Sequence, residues 1–158
     1  MHNKIYQITE QKLAKDRWIN EDTFMDYNIG DFADYVYDLQ NYEQQEALKH
    51  LDEIFKGVFK RKGRVLTFLG ADDFVNEWIA ALKAKVAEVN SENFKDWMTS
   101  WNIRHILTDT HKGIDARIYL GEDMEATADP FGEFIRDIFA NNKKGDKFYV
   151  GGIVGFHF

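Results

Sequence analysis

Chemistry in this chain would have to come from a short roster of side chains. Cysteine is absent, and serine occurs only at Ser91 and Ser100. Without cysteine there is no thiol nucleophile, no thiolate zinc site and no disulfide framework. Neither serine stands in a nucleophile elbow, and helix capping accounts for Ser91. His105, Asp109 and His111 form the tightest group of metal-type ligands. Their spacing follows no zinc signature, and His105 alternates with Ile103 and Leu107 as a hydrogen-bonded core histidine would. Asp72 and Asp73 stand where a strand passes into a helix, a place for a cation or an acid–base pair and equally for capping. Glu122, Asp123, Glu125 and Asp129 lack the central glycine and closing glutamate of a calcium loop. The glycines of Tyr149–Gly155 lie in a strand pattern, not in a loop feeding a helix N-terminus, so they make no phosphate loop. Neither a metal nor another cofactor is expected.

One set of residues could grip a small anion. Arg104 and Arg117 share the outer face of an expected hairpin with Tyr119 nearby, and two guanidinium groups with a phenol suit a carboxylate or phosphate. With His105 and His157 they outline a ligand pocket near the hairpin and the C-terminal strand.

Charge is more informative. The chain has 158 residues and a formal net charge of −7. Between Glu21 and Phe55 there are ten acids, opposed only by Lys49. Asp31, Asp34 and Asp38 repeat at helical spacing beside Tyr35 and Tyr37. Asp22, Asp26, Glu43 and Glu46 flank them. Solubility explains such a stripe. So does a surface that meets a basic partner, with aromatic residues as anchors. A basic knot follows at Lys56, Lys60, Arg61, Lys62 and Arg64, read as a solvated helix end. It is too small for a nucleic-acid surface on so acidic a chain.

The elements that must position these residues read as follows. Ile5–Ile8 is a strand. Thr9 caps a short helix with Leu13, Ala14 and Trp18. Asn20–Gly30 is irregular. Asp31 caps a helix carrying Phe32, Tyr35, Val36 and Leu39. A second helix spans Tyr42–Lys60, broken by Lys62-Gly63. Val65–Leu69 is an interior strand, apolar on both faces. Asp72 or Asp73 begins a helix with Phe74, Trp78, Leu82, Val86 and Val89. Ser91 caps another with Phe94, Trp97, Met98 and Trp101. Ile103–Thr108 and Ala116–Gly121 pair as the hairpin. Asp129-Pro130 opens a helix facing inward through Phe131, Phe134, Ile135 and Ile138. The last strand places Phe148, Val150, Gly152, Val154, Phe156 and Phe158 on one face. Tyr149, Gly151, Ile153, Gly155 and His157 take the other. Its glycines indicate close approach, of a packed helix first, and otherwise of a bulge or ligand.

These patterns describe a single α+β domain over residues 1–158, with a mixed sheet of about five strands and helices mainly on one face. No apolar stretch of signal-peptide or membrane-span length stands out, which suits a cytoplasmic protein without a membrane role. The leading functional expectation is a non-enzymatic interaction protein of inhibitor, immunity-like or DNA-mimic type. Its acidic face would dock a basic protein and would not bind nucleic acid. The alternative is an enzyme or ligand-binding domain using the pocket above. Homo-oligomerisation is a third outcome that the aromatic content allows.

Overall fold

The computed structural model describes residues 2–24, 33–108, 116–119 and 129–157. Two long strands form the middle of its sheet: β1 (His2–Thr9) and β7 (Lys147–His157). They run antiparallel, and β-branched and aromatic residues suit both to a pleated, buried position. Along its other edge β7 receives two strands end to end. β4 (Val65–Phe68) pairs with Lys147–Tyr149, and β2 (Tyr35–Asp38) pairs with Val154–His157. β3 (Phe59–Lys62) lies outside β4 as a hairpin. On the far side β5 (Ala116–Tyr119) runs parallel to β1, and β6 (Asp129–Pro130) pairs outside it. The order is β3-β4-β7-β1-β5-β6, with β2 also on β7, giving seven strands among the described residues and a mixed sheet.

Helices cover one face. α1 (Asn41–Ile54) buries Ala47, Leu48 and Leu51, and α2 (Asp72–Ala87) buries Phe74 and Trp78. α4 (Phe131–Asn141) buries Phe131, Phe134, Ile135 and Ile138, the inward face expected from its spacing. Between helices and sheet the rings of Phe55, Phe59, Phe131, Phe134 and Phe148 meet at centroid separations from 4.8 to 6.5 Å, the range of favourable offset and edge contacts. α3 (Trp97–Thr108) forms a second tier against α2 and α4, and Trp78 Nε1 donates to the Ile106 carbonyl. The opposite sheet face packs Ile5, Tyr119, Val154 and Phe156 under Ile19, Phe24 and Ala33, with no α-helix among the described residues there.

Strict alternation fails in β7. Tyr6 pairs with Ile153 but Ile8 pairs with Val150, so three steps of β7 oppose two of β1. One extra residue is a β-bulge, and it reverses which face later side chains take. Phe148, Val150 and Ile153 therefore join the helix-side core, while Val154 and Phe156 join the other. Gln7 lies opposite the bulge and is the buried polar side chain among the described residues. Its Oε1 accepts from Gly152 N (2.9 Å) and Ile19 N (3.1 Å), and its Nε2 donates to the Arg17 carbonyl (3.2 Å). The atoms nearest these three glycines belong to Gln7, the Ile19 segment and strand β2 instead of to an α-helix. A Cβ on Gly151 would overlap the Gln7 carboxamide, one on Gly152 the Ile19 backbone, and one on Gly155 the Tyr37 ring.

Other expectations are corrected. Tyr35–Asp38 is a strand, because its backbone is captured by the open edge of β7. Helix α1 stops at Ile54, and Phe59-Lys60 belong to β3. Residues 103–108 are the second half of α3, not a hairpin strand, since Ile106 faces Trp78 and the segment continues the helix from Trp97. Residues 91–95 form turns before that helix. The segment after Thr9 contains a 3-10 turn at Lys15–Arg17 instead of an α-helix, because Gln7 holds its backbone groups. Asp31, Phe32 and Phe158 lie outside the described residues.

Two predictions follow from the core. Replacing Gln7 with alanine orphans two buried N–H groups and a carbonyl. It should cost about 2–4 kcal/mol in urea denaturation, and Gly152→Ala about 1–3 kcal/mol, whereas exposed Gln11→Ala should stay within about 0.5 kcal/mol. The second concerns Tyr6, whose hydroxyl donates to the Ala47 carbonyl at 3.1 Å. Burial pushes its phenol well above the ordinary tyrosine range. The folded state then keeps a proton that the unfolded state loses near pH 10, so this stability is present below that pH and falls above it by up to about 1.4 kcal/mol per unit. Stability measured against pH should show a shallower alkaline loss, by about one proton, in Tyr6→Phe.

Candidate functional site

The acidic residues occupy three adjoining elements, not one helical stripe. Glu21 and Asp22 sit in a 3-10 turn, Glu21–Phe24, beside β2. Asp34 precedes β2 and Asp38 ends it, while Glu43 and Glu46 lie in the first half of α1. The turn is tied to the strand: Glu21 N donates to Asp38 Oδ1 (2.8 Å), and Asp38 N donates to Glu21 Oε2 (3.4 Å). Glu43 accepts from Gln40 N at 2.8 Å, closing the start of α1 as N-terminal acids do. Asp22, Asp34, Asp38 and Glu46 are exposed. Asp26 and Asp31 lie outside the described residues.

Aromatic groups stand among these acids. Tyr35 is 48% exposed. Its ring stacks on His157 at 5.2 Å, in register across β2 and β7, and His157 Nδ1 meets Asp34 Oδ2 at 3.2 Å. Tyr37 lies 6.0 Å from Tyr35, with Lys4 Nζ 6.0 Å from its ring. Burial first, then the Glu43 carboxylate and the Tyr35 phenol, hold the Tyr37 phenol above its ordinary range. Among the described residues no lysine or arginine forms an ion pair with Glu21, Asp22, Asp34, Asp38, Glu43 or Glu46.

The basic knot is partly structural. Arg64 donates to the Gly151 carbonyl and, at 2.7 Å, to Gln44 Oε1, and its guanidinium lies 4.4 Å from the Trp18 ring centroid. Burial, and then Arg61, lower its basicity. Arg61 grips Asp52 through Nε (2.7 Å) and Nη2 (2.5 Å). The Lys62-Gly63 break showed where the chain turned, but nothing in the spacing disclosed that Arg64 would fold back under Trp18.

The residues of the alternative pocket are not gathered. Arg104 and His105 are exposed on α3, in the second tier of the helix side. Tyr119 is buried on the opposite sheet face, edge-on to Phe24 at 5.9 Å. Arg117 pairs with Ile5, which pairs with Val154, so His157 stands two strands over and three residues along. The sheet itself separates the α3 pair from Tyr119. Asp72 and Asp73 border a cleft of about 660 Å³ with His50, Glu53, Lys56 and Lys144. Both carboxylates are exposed, and Asp72 faces Lys144 at 3.9 Å. Two solvated acids beside a lysine lack the contrasting environments that separate an acid from a base. Among the described residues no three His, Asp or Glu side chains are arranged to hold a metal ion, and no helix is long and apolar enough to cross a membrane. Asp109 and His111 lie outside those residues. Comparison with protein-family models, curated proteins and solved structures finds no match to this chain.

Proposed function

We propose that this protein is a non-enzymatic interaction module whose acidic edge, formed by Glu21-Asp22, strand β2 and the start of α1, docks a positively charged protein. The observation that carries this reading is the set of carboxylates there without a lysine or arginine partner among the described residues. Like charges within a Debye length, about 8 Å at physiological salt, repel one another. A cationic partner relieves that repulsion and gains steering over the whole face. Tyr35 supplies an amphipathic anchor in the middle of the charge, the residue type that concentrates binding energy at interfaces. Inhibition of a basic enzyme and occupation of a DNA-binding surface are both forms of this activity. A reducing intracellular setting fits a chain without cysteine.

The test uses labelled oligolysine and a labelled DNA duplex in fluorescence anisotropy. Oligolysine should bind at low salt and weaken steeply towards physiological salt, and the duplex should not bind. Changing Asp22 and Asp34 to asparagine and Glu46 to glutamine should weaken oligolysine binding at least about fivefold without moving the melting midpoint, since each exposed charge contributes a few tenths to about 1 kcal/mol. Equal binding by this variant, or tight duplex binding, overturns the reading.

A further inference from the structure

Helix α3 is unusual among the elements of this fold. Not one of its described side chains is fully buried: Thr99, Asn102, Ile103 and Ile106 reach only partial cover against the neighbouring helices. A helix of its length ordinarily gains stability by burying an apolar face. Ile103 and Ile106 turn inward, but the larger apolar residues do not. Trp97 is 68% exposed, Met98, Trp101 and Leu107 are also exposed, and so is Phe94 in the turn before the helix. Trp97, Trp101 and His105 follow at four-residue spacing and stack as a ladder, with centroid separations of 6.0 and 4.8 Å. On the other side of α3, Leu107 lines a groove of about 280 Å³ with Ile79 and Phe139.

From this placement we infer that the α3 face binds a second copy of the chain, as a twofold-symmetric dimer with the two α3 helices antiparallel about an axis near Trp101. Three observations select that occupant. The first is area: at roughly 150–250 Å² per aromatic side chain, the exposed parts of Phe94, Trp97, Met98 and Trp101 sum to on the order of 500 Å². That is more than half of the roughly 800 Å² per partner of a standard interface and stands at the upper end of the largest apolar patch of a monomer. The second is charge. The chain carries a net −7, so two copies repel through most of their surface. Residues 97–108 contain no carboxylate, and copies meeting there keep their acids apart. The third is symmetry. With the axis at Trp101, Trp97 of one copy faces His105 of the other, and Glu92 and Asp96, which precede the helix, approach the end that carries Arg104. Each contact then recurs in reverse, as a closed twofold interface requires.

Sedimentation velocity across a concentration series tests the inference, with the full chain and two variants, Trp97→Glu and Met98→Glu. Both sites are more than half exposed, so each variant should keep the wild-type melting midpoint. The expected result is a dimer of the intact chain that high salt preserves, with a dissociation constant raised at least about tenfold in either variant, as for loss of a central anchor. Tryptophan emission should shift to the blue on dimerisation of the intact chain. A monomer at every concentration overturns the inference, whether or not lipid vesicles quench the exposed tryptophans. A dimer that both variants leave unchanged, or that salt dissociates, places the contact elsewhere and also overturns it. Oligolysine binding read in the same variants should be unaltered, so failure here is distinguishable from failure of the acidic edge.

Discussion

The carboxamide of Gln7 is the contact on which the two-sided architecture depends. A bulge in a central strand leaves backbone groups without ladder partners, and inside a protein each such group costs about as much as a lost hydrogen bond. Gln7 meets that cost with one side chain. It accepts from Gly152 N in the bulged strand and from Ile19 N in the segment covering the second face, and donates to Arg17 O. The same contact thus closes the bulge and fastens the cover. Its position explains the two adjacent glycines, since a side chain at either would occupy the space of the carboxamide or of the Ile19 backbone.

Because the bulge reverses the facing of β7, one strand serves two cores. Phe148, Val150 and Ile153 close the phenylalanine-rich layer under α1, α2 and α4, and Val154 and Phe156 close the smaller layer under Ile19 and Phe24. β7 is long enough to hold β4 and β2 in succession along one edge. Arg64 stitches that junction, joining Gln44 of α1, the Gly151 carbonyl and the Trp18 ring. A cation so placed contributes by packing as much as by charge. Arg64 is thus bound up with the fold, and the cationic surface near it is smaller than the residue count implies.

Much of this architecture was legible in the residues. The fold class, the helix-lined face of the sheet, the interior position of β4, the span of α2 and the inward face of α4 follow from periodicity that tertiary structure left intact. The end of α1 carried a signal that the apolar spacing overrode: Gly57, with φ +85°, stops the helix before Phe59 and Lys60. Seven strands replace about five because β2, β3 and β6 are short edges, where alternation has few residues in which to declare itself. The bulge was hidden for another reason. A glycine pair shows that something comes close, but only the register with β1 shows that it is Gln7 from the other end of the chain.

The two most misread elements, β2 and α3, share a physical cause. Sequence periodicity reports which residues a core will enclose, and both elements lie where enclosure is incomplete. β2 is an edge strand in which Asp34 and Asp38, at four-residue spacing, imitate a helix, although Tyr-Val-Tyr suits a strand. Its charges also blunt the open edge against pairing with another sheet, a structural use that a docking role does not displace. In α3 the tryptophans declare helical spacing as far as Trp101, but the alternation of Ile103, His105 and Leu107 then imitates a strand, and none of these three is fully buried. Local pattern and global fold agree where one face of an element is enclosed along its length, as in α4. They part at β2 and α3, the elements whose charged or aromatic side chains remain available to another molecule.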